Sequence, residues 1–185
     1  MRAVGVDPVH GTRRTFRALL DAMSRPGTVE SVSDPADHAV VATLVDHEVA
    51  VATDDEGLRD ALASQGRLDA ASVPEADIVH VRDRDGFAVG ECKRGSLVEP
   101  SDGATVVYRV DDLVAGATAD LTTVTLSGPG VDGSREFGVA LPPAELAALA
   151  DAQADYPRGV DAVFASAEAV AAVPRSVTIE STEVA

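Results

Sequence analysis

The spacing of apolar residues changes along this chain, and that change limits its fold more than any single residue count. Near the start, Phe16, Leu19, Leu20 and Met23 stand at i, i+3, i+4 and i+7, one stripe of a helix over about Thr12 to Ser24. Arg13, Arg14, Arg17 and Asp21 take its other faces, Thr12 can cap it, and Pro26-Gly27 stops it. Thr28 to Val32 reads as a short strand, Ala39 to Val45 as a buried helix with Asp34 or Asp37 near its start, and Val49 to Thr53 as a small strand. Asp54, Asp55 and Glu56 open a helix to about Ser64, where carboxylates favour the positive end of the helix dipole; Gly66 closes it.

Past Gly66 the pattern becomes that of strands. Asp77 to Val81 is a short apolar run, Leu97 to Glu99 precedes Pro100, and Ala104 to Val110 follows the turn Ser101-Asp102-Gly103. Leu121 to Ser127 alternates apolar residues with Thr, as a half-exposed strand does, and Phe137 with Val139 marks a further strand. Pro142-Pro143 and Glu145 start an Ala-rich helix to about Ala154. Val160 to Ala165 and Val170 to Val173 read as strands joined at Ser166 to Ala169, and Val177 to Ile179 ends the series. Helices first, then strands with one late helix, predict an α/β fold: a mixed sheet flanked by helices, in one domain over residues 1–185.

Charge narrows the partners. Thirty-one acidic residues against fifteen basic ones leave a net −16, and Lys93 is the only lysine. Phosphate neutralisation by clustered cations is the starting term of nucleic-acid binding, so no nucleic-acid partner is expected. An anionic membrane surface is disfavoured in the same way. The acid excess fits a solvated surface suited to a salty cytoplasm, where ionic strength screens self-repulsion. Met1 to His10 lacks an apolar run behind a basic one, so no secretory signal is expected. Cys92 stands alone, which excludes an intramolecular disulfide and a Cys-based zinc or iron–sulfur site. The four histidines, His10, His38, His47 and His80, are dispersed, and no metal site is expected from them.

Phosphate loops, dinucleotide fingerprints and nucleophile elbows are absent from the sequence. Three Gly/Pro/Arg knots remain: Met23-Ser24-Arg25-Pro26-Gly27; Ser127-Gly128-Pro129-Gly130; and Tyr156-Pro157-Arg158-Gly159-Val160-Asp161, followed by Val173-Pro174-Arg175-Ser176. Each can serve as plain turn punctuation. Alternatively Arg25, Arg158 and Arg175, scarce cations beside conformationally fixed prolines, can hold a carboxylate or phosphate, pair with Asp161, or meet a partner chain. Both readings stay open at this level.

In order and spacing these knots resemble the PhnH family, a subunit of the carbon–phosphorus lyase system. Phe16 to Gly27 is similar to that family's F-R-x-L-L-x-A-M-S-x-P-G opening, and the later knots recur in its order; Tyr156 stands where an aromatic, often Phe, is expected. The resemblance spans nearly the whole chain. It implies a fold similar to that of pyridoxal-phosphate-dependent transferases but without the cofactor, and it implies a homodimer that joins PhnG, PhnI and PhnJ subunits. It further implies support for ATP-dependent attachment of phosphonate to ribose, with the reactive roles in other subunits. No catalytic, metal or cofactor-binding residue is expected; Arg25, Arg158, Asp161 and Arg175 are candidate interface or anion contacts. Two other functions compete with this one: a stand-alone transferase or hydrolase on a phosphorylated small molecule, and a ligand-sensing dimer.

Overall fold

The computed structural model describes residues 10–182. The segment expected not to be a secretory signal, Met1 to His10, lies outside them except for His10.

Four helices, α1 (His10–Ser24), α2 (Ala36–Leu44), α3 (Glu56–Ala63) and α4 (Pro143–Gln153), combine with two sheets. The larger has the order β1-β10-β9-β5-β4-β2-β3, from strands β1 (Glu30–Ser31), β2 (Ala50–Thr53), β3 (Asp69–Ala70), β4 (Ile78–Val81), β5 (Thr105–Arg109), β9 (Asp161–Ala165) and β10 (Ala169–Val173). From β3 to β9 neighbouring strands are parallel; β10 turns back on β9 as a hairpin and makes the sheet mixed. The smaller sheet is antiparallel in the order β11-β7-β8-β6, built from β6 (Leu113–Ala115), β7 (Thr122–Ser127), β8 (Ser134–Val139) and β11 (Thr178–Thr182).

Strand alternation splits the core in two. Val107, Val163 and Ala165 join Leu19, Val40, Leu58 and Leu62 under the first three helices. Val106, Tyr108 and Phe164, on the opposite face, pack with Val124, Phe137, Leu146 and Leu149 of the small sheet and α4. The expected α/β class and mixed sheet are therefore present. The helices α1 to α3 cover one face only, and the antiparallel sheet with α4 covers the other.

Asp55 caps α3, its carboxylate accepting from the Leu58 amide at 2.8 Å. β7 shows the expected alternation, with Thr122, Val124 and Leu126 buried. Leu97 to Glu99 forms no strand: it belongs to a loop in which Leu97 and Val98 face solvent. Of the stripe expected to bury α1, Leu19 is buried and Met23 packs partly against the core, and the other half is corrected. Phe16 and Leu20 are 55% and 58% exposed, while Gly11, Thr15, Ala18, Leu19 and Ala22 face inward. Small residues let the α1 backbone approach its neighbours α2 and β10 closely, and close packing decides the face over side-chain size.

Among the described residues no helix is long and apolar enough to cross a membrane.

Candidate functional site

The three knots, far apart in sequence, meet at one corner. Gly130 lies so close to the end of α1 that a side chain there would come within 2.8 Å of the Ser24 carbonyl oxygen and 2.9 Å of Pro26 Cδ. Its φ of +82° adds a second reason for glycine at that position. Arg135 Nη1, from β8, donates to the Arg25 and Pro26 carbonyls, each at 3.3 Å. Gly128 backs onto Ser176 and Val177, where an added Cβ would sit 3.4 Å from each.

Asp161 and Arg175, two of the four candidate residues, form a tight pair. The Asp161 carboxylate accepts from the Arg175 backbone amide at 2.8 Å and from its Nη2 at 2.6 Å. Arg175 also donates through Nη1 to the Pro100 carbonyl at 2.6 Å and through Nη2 to the Gly103 carbonyl at 3.2 Å. This guanidinium ties the strand-end turn to the loop ahead of β5. Arg158 pairs with Asp155 at 2.9 Å and makes no bond to Asp161. Arg25 pairs with Asp21 at 3.0 Å and more loosely with Glu30 at 3.7 Å, its side chain half exposed. Beside the Asp161–Arg175 pair opens a cleft of about 570 Å³, walled by Pro100, Ser101, Tyr156, Pro157 and Ser176 among others.

A second cluster escaped the sequence. At the carboxyl ends of β2 and β4, His80 Nε2 lies 3.1 Å from Asp37 Oδ2 and His38 Nε2 lies 2.9 Å from Asp55 Oδ2. Arg82 bridges both carboxylates, Nε to Asp37 at 2.8 Å and Nη1 to Asp55 at 2.7 Å. Thr53 Oγ1 accepts from the Asp55 amide at 3.1 Å and lies 2.8 Å from His80 Nδ1. The Asp37 carboxylate oxygen can only accept, so His80 Nε2 carries the hydrogen aimed at it. Burial of Asp37 opposes ionisation, but the His80 hydrogen bond and the Arg82 guanidinium outweigh it and bring the carboxyl down to about 2. His38 and His80, read as dispersed, thus have ring centres 6.0 Å apart. Each spends Nε2 on a different carboxylate. Among the described residues no group of three or more His, Cys, Asp or Glu is placed to hold a metal ion. The available signal was a histidine inside the apolar run Ile78-Val79-His80-Val81.

Cys92 is buried and its thiol is pushed up to about 11 by burial, which removes it as a nucleophile near neutral pH. The Lys93 ammonium bridges Asp77 and Asp102, and the hydrogen bond to Asp77 leads in raising its pKa.

The family model for "Bacterial phosphonate metabolism protein (PhnH)" matches residues 5–180. HtxG of Stutzerimonas stutzeri, named as a C-P lyase subunit protein, is 33% identical over 168 residues, covering 89% of this chain and 83% of its own. A second relative, from Rhizobium meliloti (strain 1021), is named alpha-D-ribose 1-methylphosphonate 5-triphosphate synthase subunit PhnH. It is 29% identical over 203 residues, covering 94% of this chain and 92% of its own. With the family model spanning all but the extreme ends, the chain belongs to the PhnH family of bacterial phosphonate metabolism proteins.

Proposed function

We propose that this chain is a non-catalytic subunit of a carbon–phosphorus lyase core complex. In that role it supports the ATP-dependent attachment of phosphonate to ribose, giving ribose 1-phosphonate 5-triphosphate, during organic phosphonate breakdown in the cytoplasm. Its partners are a second copy of itself and the PhnG, PhnI and PhnJ subunits. Both named relatives are subunits of larger assemblies, which supports the reading.

One observation carries it on the structural side. Phe16, Leu20, Leu97, Val98 and Tyr156 are large apolar side chains left exposed among the described residues. By contrast, the clustered groups suited to acid–base chemistry are spent on one another: His80 on Thr53 and Asp37, Arg82 on Asp37 and Asp55, Arg175 on Asp161. A subunit needs the first feature, and a stand-alone enzyme needs free groups of the second kind.

In this reading Arg25, half exposed, and Arg158, partly exposed, are the interface or anion contacts, and Asp161 with Arg175 shapes the surface beside them. On this reading the fold is similar to that of pyridoxal-phosphate-dependent transferases, as the family resemblance implies, but without their cofactor. A Schiff-base lysine must offer a neutral amine, and Lys93 is a doubly bridged ammonium instead.

Co-expression with tagged PhnI, PhnG and PhnJ tests the reading. The chain is expected to co-purify with them in fixed stoichiometry, and alone to scatter light as a dimer. Failure to co-purify, combined with turnover of a phosphorylated substrate by the chain alone, would overturn it.

A further inference from the structure

Among the described residues, helix α1 has an outer face with no partner. Its inner face, Gly11, Thr15, Ala18, Leu19 and Ala22, is seated in the core, so the helix is held firmly and cannot roll to bury the other side. Outward point Arg13, Phe16, Arg17 and Leu20, spaced i, i+3, i+4 and i+7, a single stripe about 10 Å long. Phe16 and Leu20 keep more than half their surface in water.

The charge on this stripe is opposite to that of the molecule. Arg13, Arg14 and Arg17 fall within five consecutive positions of a chain carrying −16 overall. None of the three makes an ion pair or a side-chain hydrogen bond among the described residues, whereas Arg25, Arg82, Arg84, Arg158 and Arg175 are all paired with carboxylates. In a chain with so many acids, leaving adjacent guanidiniums unpaired around two exposed apolar side chains marks a surface completed from outside. Arginine and aromatic residues are the types enriched at interface cores, and the guanidinium fork matches a carboxylate.

We infer that this face of α1 docks an acidic, apolar segment of another subunit, one presenting carboxylates beside the apolar groups that cover Phe16 and Leu20. The inference rests on the subunit role proposed above and gives that role an address. A second copy of this chain is the poorer fit. A twofold pairing centred on this stripe brings Arg17 toward its own copy, like charge on like.

The experiment measures capture of the purified chain by immobilised PhnG–PhnI–PhnJ assembly, for wild type, Phe16→Ala/Leu20→Ala and Arg13→Glu/Arg17→Glu. Each double variant is expected to bind about thirtyfold or more weakly, as loss of central interface anchors does. Their melting temperatures should stay at the wild-type value, because every changed side chain points outward. The deficit of the Arg→Glu variant should narrow as potassium chloride is raised, and that of the apolar variant should persist.

Wild-type capture with unimpaired α1 variants overturns the inference and leaves the subunit role standing. Absence of wild-type capture overturns the subunit role and the inference with it. If the variants instead abolish dimerisation of the isolated chain, a second copy covers the face. If wild type sediments with phosphatidylglycerol vesicles and the variants do not, a membrane does. Either result overturns the inference.

Discussion

Arg175 grips Asp161 from two directions, its backbone amide at 2.8 Å from Oδ1 and its Nη2 at 2.6 Å from Oδ2. Both side chains are mostly buried, and the same guanidinium holds the Pro100 and Gly103 carbonyls. Truncating the arginine strands a carboxylate that has little water to turn to.

Arg175→Ala is therefore expected to destabilise the isolated chain by about 1–3 kcal/mol, several degrees in melting temperature. Arg158→Ala removes only a solvent-screened pair with Asp155 and should change stability by ~0.5 kcal/mol or less. Thermal unfolding of both variants checks the contrast; equal effects would remove Arg175 as the brace of this corner.

Asp37 makes the fold sensitive to acid in a defined window. Its folded pKa of about 2 lies below the ordinary 3.8. A depressed carboxyl contributes stability that is full above the unfolded value and is lost as pH falls through the folded one. The contribution is about 2 kcal/mol, lost between roughly pH 4 and pH 2. Asp55 and Asp77 are shifted the same way. Urea unfolding across that range should show a flatter pH dependence for Asp37→Asn than for wild type; parallel curves would contradict the assignment.

Most elements were legible because each rests on local signals. Asp55 at the start of α3, Pro26-Gly27 after α1 and the Thr alternation in β7 all act over a few residues. The buried face of α1 was read correctly at Leu19 and misread at Phe16 and Leu20, where apolar size pointed inward while the packing chose Ala18 and Ala22. That choice depends on how close α2 and β10 lie, which no helical period encodes. β3 and β6, two and three residues long, are too short to show a period. At the site, Asp161 and Arg175 were singled out together, fourteen positions apart. The His80–Asp37 contact joins residues forty-three positions apart, and Arg82 reaches Asp37 across forty-five. Helix α2, packed on β4, brings Asp37 and His38, while the parallel pairing of β2 with β4 sets Thr53 beside His80; both are properties of topology rather than of any local motif.

Net charge supplies a further prediction. Self-repulsion at −16 weakens the compact state, and added salt screens it. The melting temperature should rise from dilute buffer to molar potassium chloride. A flat or falling curve would mean that the acidic surface is already balanced by local pairs such as Arg84–Glu145.

The most direct test of the subunit role is a turnover measurement with ATP and methylphosphonate under three conditions: this chain alone, the PhnG, PhnI and PhnJ subunits without it, and all four together. Ribose 1-methylphosphonate 5-triphosphate, with release of adenine, should form only when the chain is present with its partners, and the chain alone should form none. Product formed by the isolated chain, or formed at an undiminished rate by the partners without it, would contradict the account.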